Sequence, residues 1–169
     1  GYEADDLIGT ISKKSGIETI ILTGDRDTLQ LIDERIKVYL TKKGLSEIEE
    51  VDLDRLKNEY GLTPDQVIDF KALMGDASDN IPGVSGVGEK TALRLITDYK
   101  TLNGVYEHID EMTGKLREKL DVGKQSAYMS YELATIEKDV PIEFDLKDFE
   151  YTYPFAACIR DEFEKLNFK

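Results

Sequence analysis

The 169 residues contain one cysteine, Cys158, and one histidine, His108. A single thiol excludes an internal disulfide and any cysteine-based zinc site. Its setting, Phe155-Ala156-Ala157-Cys158-Ile159, reads as the apolar face of a helix, so the thiol is expected to be buried and structural. His108 has no partner histidine and sits in Val105-Tyr106-Glu107-His108-Ile109, a surface-helix pattern. Ser-His-Asp and Cys-His mechanisms therefore have no constellation to rest on. No apolar run approaches the roughly 20 residues that cross a bilayer, and no signal peptide is present. The expected setting is cytoplasmic, with no membrane partner. The start at Gly1, in Gly-Tyr-Glu-Ala-Asp-Asp, reads as a piece cut from a longer polypeptide.

Positive charge is scarce: 22 basic against 35 acidic residues give a net charge of −13. That opposes a nucleic-acid partner, because phosphate binding needs positive surface. The excess is unevenly spread. Residues 1–82 carry 10 basic and 18 acidic side chains, whereas residues 83–130 carry 7 of each. Seven of the acids are clustered, as Glu3-Ala-Asp5-Asp6, Asp25-Arg-Asp27 and Asp76-Ala-Ser-Asp79. Carboxylates at that density repel one another unless cations lie between them, and hard divalent cations prefer oxygen ligands. Bound ions would offset much of the local charge, so acidity weakens a nucleic-acid reading without removing it.

Hydrophobic patterning predicts a helix over 3–15 stopped by Gly16, a buried strand over 17–22, a short helix over 27–32 and a second strand over 36–40. This order fits an open, mostly parallel sheet whose ligands gather at the carboxyl ends of the strands, where Asp25 and Asp27 fall. Beyond Val51 the strand signals fade. Helices are predicted over 52–60, from Pro64 onward with Val67, Phe70, Leu73 and Met74 on one face, and over 88–99, 101–109, 113–120, 124–136 and 155–166. Residues 141–154 read as irregular, packed down by Phe144, Phe149, Tyr151 and Tyr153. The fold class is thus α/β (residues 1–50) followed by all-α (residues 51–169).

Each acidic cluster also has a plainer explanation. Glu3 and Asp6 share a helix face while Asp5 points elsewhere, and acids enrich helix N-termini for dipole reasons. Asp25 or Asp27 could cap the helix that follows. Gly75 to Asn80 opens like a calcium loop but lacks that loop's sixth-position glycine and closing glutamate. The run Ile81-Pro-Gly83-Val84-Ser85-Gly86-Val87-Gly88-Glu-Lys90-Thr91-Ala is more specific. Its glycines permit positive φ and close approach of a phosphate, Val84 and Val87 would anchor the turn, and Lys90 adds a point charge. No βαβ unit surrounds it, so a dinucleotide fold fails. The pattern is a helix-hairpin-helix that grips a DNA backbone without reading sequence, or else a structural corner between two helices.

Taken together, Gly1-Tyr-Glu-Ala-Asp-Asp, Thr23-Gly-Asp-Arg-Asp and Met74-Gly-Asp-Ala-Ser-Asp-Asn-Ile-Pro-Gly-Val-Ser-Gly-Val-Gly-Glu-Lys-Thr-Ala resemble, in order, the 5′-nuclease (flap endonuclease) superfamily. The branch most similar is the 5′→3′ exonuclease domain carried at the N-terminus of bacterial DNA polymerases. The resemblance implies a partial PIN-like core followed by a helix-three-turn-helix (SAM-like) clamp. It places Glu3, Asp5, Asp6, Asp25, Asp27, Asp76 and Asp79 on the family's metal-binding acids, with Asp5, Asp6, Asp25 and Asp27 as the catalytic set. It places Gly83, Val84, Ser85, Gly86, Val87, Gly88, Lys90 and Thr91 on the duplex-binding hairpin, where the family can also hold K⁺. It implies Mg²⁺ or Mn²⁺ at two or more sites and two-metal phosphodiester hydrolysis. The implied substrates are 5′ flaps, nicked or gapped duplexes and RNA–DNA primer junctions, in primer removal and repair by a polypeptide that also carries a polymerase domain. The family's first two ligand aspartates, helical arch and basic catalytic residues lie before the motif at Gly1, so this chain alone is expected to have weak or no nuclease activity. A non-catalytic, structure-selective DNA-binding module is the alternative. A PIN-type ribonuclease would share the acids but leave the hairpin unexplained.

Overall fold

A computed structural model describes residues 1–42, 46–151 and 162–167. Helix α1 (Ala4–Ser15) begins at a capping box between Glu3 and Asp6 and ends at Gly16, whose φ of 70° is left-handed. Strand β1 (Thr19–Thr23) leads into a 3₁₀ turn (Arg26–Leu31) and then β2 (Ile36–Thr41). β1 and β2 pair in parallel, with Thr19 opposite Ile36 and Thr23 opposite Leu40.

A third strand, β3 (Ile48–Val51), pairs antiparallel with β2, with Val38 opposite Val51. The described sheet therefore has the order β1-β2-β3, with one parallel and one antiparallel pairing. β3 escapes a hydrophobicity reading because its inward positions are Glu49 and Val51. Glu49 is only 7% exposed, and its carboxylate is held by Lys42 at 2.6 Å and Arg55 at 3.1 Å. The expectation that β1 is buried on both faces also needs correction. Ile21 is buried, but Ile20 and Leu22 are more than half exposed and line an open cleft with Ile8, Ile11 and Leu146.

Helix α2 (Leu53–Arg55) widens into a π turn (Leu56–Tyr60) closed by left-handed Gly61. Helix α3 (Pro64–Met74) starts from a Thr63/Gln66 capping box with proline in its first turn. Helices α4 (Glu89–Tyr99) and α5 (Leu102–Glu107) follow. Asp69, buried in α3, accepts the Leu102 amide at 2.8 Å and so fixes the start of α5. His108 closes α5 on the surface, its ring 5.4 Å from that of Tyr99.

The helices predicted at 113–120 and 124–136 are one, α6 (Gly114–Ala134). Gly123 does not break it. A Cβ there would lie 2.7 Å from Val84 Cγ1, so the glycine lets the hairpin pack against the middle of a continuous helix. The end of α6 is bound to the sheet region through buried Gln30, which donates to the Ala134 carbonyl at 2.9 Å and accepts the Ile136 amide at 3.0 Å. One hydrophobic core runs from Ile21, Val38 and Val51 through Leu73 and Leu95 to Leu120.

The aromatic packing expected over 141–154 is looser than predicted. Phe144 meets Phe149 edge-on at 6.4 Å, but Phe149 and Tyr151 are 60% and 77% exposed. Tyr153, Cys158 and most of the helix predicted at 155–166 lie outside the described residues, with 162–165 helical.

Candidate metal centre

Two turns, one after β1 and one after α3, bring the acids together. After Thr23, Asp25 caps the 3₁₀ turn: its carboxylate accepts the Asp27 amide at 2.9 Å, and its own amide donates to Thr23 Oγ1 at 3.0 Å. The capping explanation and the metal explanation thus apply to the same residue. Capping aims Asp27 inward, where it is 9% exposed. After Met74, Asp76 and Ile81 exchange backbone hydrogen bonds at 2.8 Å in both directions. That closes a tight loop, with Asn80 at a φ of 57°. Behind the loop, the backbones of Gly75 and Gly83 touch; a Cβ on Gly83 would lie 2.3 Å from the Gly75 nitrogen.

As a result Asp27, Asp76 and Asp79 each present a carboxylate oxygen within 4.8 Å of the others. Among them stands the ammonium of Lys71, a residue outside all three acidic motifs and the hairpin. Lys71 Nζ pairs with Asp27 Oδ1, with Asp76 at 2.8 Å and with Asp79 at 3.4 Å. Apart from Lys71, Asp27 Oδ1 has no hydrogen-bond partner. A sequence signal for it exists: Lys71 follows Val67 by four residues and so falls on the buried face of α3, where a cation requires counter-charge.

Burial pushes the Asp27 carboxyl above its usual range, although Lys71 pulls the other way. Burial works against the Lys71 charge too, but its hydrogen bonds to Asp27 and Asp76 outweigh that and raise its pKa. Lys71, with help from Ser78, lowers Asp76 to about 2. A cation thus already lies where the three carboxylates converge. The donors are all oxygen, with no histidine or cysteine, the set that hard divalent cations prefer.

The first cluster divides. Glu3 and Asp6 cap α1, and the second Asp6 oxygen accepts the Glu137 amide at 2.9 Å. Asp5 is half-buried within electrostatic reach of the centre: burial raises its pKa first, followed by repulsion from Asp25 and then from Glu3, Asp6 and Asp79. A cleft of about 350 Å³, lined by Gly24, Asp25, Arg26, Lys71, Asp76, Ser78 and Asp79, opens onto these groups.

The hairpin residues divide as well. Gly83, Val84 and Val87 are buried, Thr91 is half-buried, and Ser85, Gly86, Gly88 and Lys90 are exposed. The Gly83 amide donates to Ser130 at 2.9 Å and its carbonyl accepts from Ser126 at 2.7 Å, tying the turn to α6. Lys119 donates to the Gly86 carbonyl at 2.8 Å. The Val84 amide donates to the Leu73 carbonyl at 2.9 Å, so the exposed turn and the Asp76–Asp79 loop are anchored to the same end of α3.

Two family descriptions match consecutive stretches of the chain: "5′-3′ exonuclease, N-terminal resolvase-like domain" over residues 1–61 and "5′-3′ exonuclease, C-terminal SAM fold" over residues 62–156. The chain belongs to the 5′-3′ exonuclease family. DNA polymerase I of Bacillus subtilis (strain 168) is 49% identical to this chain over 154 residues, which cover 89% of the chain and 18% of that protein. DNA polymerase I of Streptococcus pneumoniae TIGR4 is 46% identical over 172 residues, covering 99% and 20%. The chain thus spans about a fifth of the length of these relatives. Its fold is that of the T5 5′-exonuclease with bound zinc, which superposes with a TM-score of 0.69 at 24% identity over 81% of this chain and 51% of that one.

Proposed function

We propose that this exonuclease-family chain forms the metal-holding and duplex-gripping part of a structure-selective 5′-nuclease acting on branched or nicked DNA. The observation that carries the proposal is the convergence of Asp27 with Asp76 and Asp79 around a buried cation, the latter two on a loop continuous with an exposed glycine-rich turn. The relatives being DNA polymerase I enzymes, and a T5 flap endonuclease having been solved with DNA and metal ions, support it.

Asp27, Asp76 and Asp79, with Asp25 and Asp5 beside them, would hold Mg²⁺ or Mn²⁺. Divalent ions bound at such a site lower the pKa of water and offset charge on a phosphodiester. The chain's own contribution is to set a cation against the buried Asp27 carboxylate, as Lys71 already does. Ser85, Gly86, Gly88 and Lys90 would hold phosphates of the duplex. Because the turn and the acid loop share their anchor on α3, the distance from grip to cleft is fixed by the backbone. Selection then follows the shape of the substrate rather than its bases.

The test is a segment exchange. The chain is placed in Bacillus subtilis DNA polymerase I in exchange for the matching fifth of that enzyme, and cleavage of a labelled 5′-flap duplex in Mn²⁺ is followed. Cleavage should be retained, and the pair Asp25→Asn and Asp27→Asn should reduce it by at least about a hundredfold while flap binding stays within about twofold. Undiminished cleavage by the double variant would favour the non-catalytic binding module.

A further inference from the structure

In the sequence Arg26 is no more than the spacer between two aspartates, yet its position in the fold is unlike that of any neighbouring cation. Its side chain lines three adjoining clefts. One is the acid cleft with Asp25, Lys71, Asp76 and Asp79. A second, of about 230 Å³, is shared with Gly24, Thr41, Lys42 and Glu49. The third, of about 510 Å³, is mostly apolar and includes Tyr60, Phe70 and Met74. The other basic residues here are already engaged: Lys42 and Arg55 with Glu49, and Lys71 with the three aspartates. Arg26 is exposed and makes no ion pair or hydrogen bond with any described residue, although acids surround it.

Its backbone is not free to move. The turn beneath it is pinned by Asp27 N to Asp25 Oδ1 at 2.9 Å, by Thr28 Oγ1 to the Asp25 carbonyl at 2.8 Å and by full burial of Thr28. The position is therefore a guanidinium carried on a fixed backbone at the lip of an oxygen-lined cleft, with no ion-pair partner among the described residues. A guanidinium is always charged and presents a planar fork that matches two oxygens of a phosphate. Once cations satisfy the carboxylates, the nearest uncompensated charge it can answer is on the substrate.

We propose that Arg26 is a substrate-positioning residue that clamps a DNA phosphate at the mouth of the acid cleft, from the turn after β1 rather than from the hairpin. The inference rests on the nuclease reading above and adds a second, separate phosphate contact to it. Two contacts from different elements would hold the strand across the carboxylates rather than merely near them.

The test uses this chain and a 5′-branched duplex in Ca²⁺, with affinity measured by fluorescence anisotropy over a series of KCl concentrations. Arg26→Gln should weaken binding about tenfold and lower the slope of log K against log salt by about 0.9, the signature of one lost phosphate contact. Arg26→Lys should retain the slope while losing part of the affinity, because a point charge replaces a fork. Lys90→Gln serves as the hairpin control. A lower slope for Lys90→Gln with an unchanged slope for Arg26→Gln would overturn the role of Arg26 and leave the nuclease reading standing. Unchanged slopes for both, or no duplex binding by the parent chain, would overturn that reading and this inference with it. Tighter Mn²⁺ binding by Arg26→Gln at unchanged slope would assign Arg26 to neutralising the acids, against the proposal.

Discussion

Replacing Lys71 by methionine should destabilise the metal-free chain by about 3 kcal/mol, the range expected when one partner of a buried ionic cluster is removed. Methionine preserves the aliphatic stem and much of the volume, so the effect isolates the charge. Without the ammonium, Asp27, Asp76 and Asp79 converge with nothing between them. Two accompanying results separate this from a simple packing defect. Mn²⁺ at millimolar concentration should restore most of the lost stability, because an ion that binds only the folded state stabilises it by mass action. The deficit should also shrink as the pH falls. Burial already raises the Asp27 pKa above its ordinary value, and loss of Lys71 removes what pulls it down. A carboxyl whose folded pKa lies above its unfolded one destabilises at high pH, and that penalty disappears as the group takes up its proton. Urea unfolding at pH 5 and 8, with and without Mn²⁺, reads all three effects. An equal loss under every condition would mean that Lys71 matters only for packing.

Gly83→Ala should have an effect at least as large, and should abolish the metal centre from a distance. Gly83 has a φ of 60°, and an added Cβ would lie 2.3 Å from the Gly75 nitrogen and 2.6 Å from its Cα. The obstruction is backbone, which cannot swing aside as a side chain can. We expect a loss of about 4 kcal/mol together with loss of Mn²⁺ binding, because the loop carrying Asp76 and Asp79 closes through that contact. Gly88→Ala is the matched control. Gly88 has a φ of −98°, and a Cβ added there would meet nothing within 4 Å, so stability should change by less than about 0.5 kcal/mol. A Gly83→Ala protein with normal urea midpoint and Mn²⁺ affinity would show that the two glycines do not couple hairpin to acids.

The residues that chemistry marks most strongly were legible in the sequence, and those that geometry decides were not. Two carboxylates at positions 25 and 27 after an apolar β-branched run could be placed at the end of a strand, and the glycine pattern from 83 to 88 could be placed between two helices. Local spacing is enough for such inferences. β3 was hidden because Glu49 occupies an inward position that its pairing with Lys42 and Arg55 makes tolerable. The continuity of α6 was hidden because the reason for a glycine at position 123 lies in Val84, which packs on it from the hairpin. Lys71 was hidden because its partners come from two turns, one far away in sequence. Within the first acidic triplet, spacing separated Asp5 from Glu3 and Asp6, but only the fold shows that Asp5 lies within electrostatic reach of Asp25 and Asp79 while the other two cap α1.

If the carboxylates around Lys71 form a divalent-ion site rather than an acidic surface, Mn²⁺ should find them before any other acids. Paramagnetic broadening of backbone amide signals during a substoichiometric Mn²⁺ titration of this chain reads that order. The amides of Asp25 to Asp27 and Asp76 to Asp79 should broaden first, and Asp27→Asn with Asp76→Asn should abolish that early broadening. Broadening that begins instead at the exposed acids elsewhere, or that spreads evenly over all of them, would contradict a divalent-ion site there.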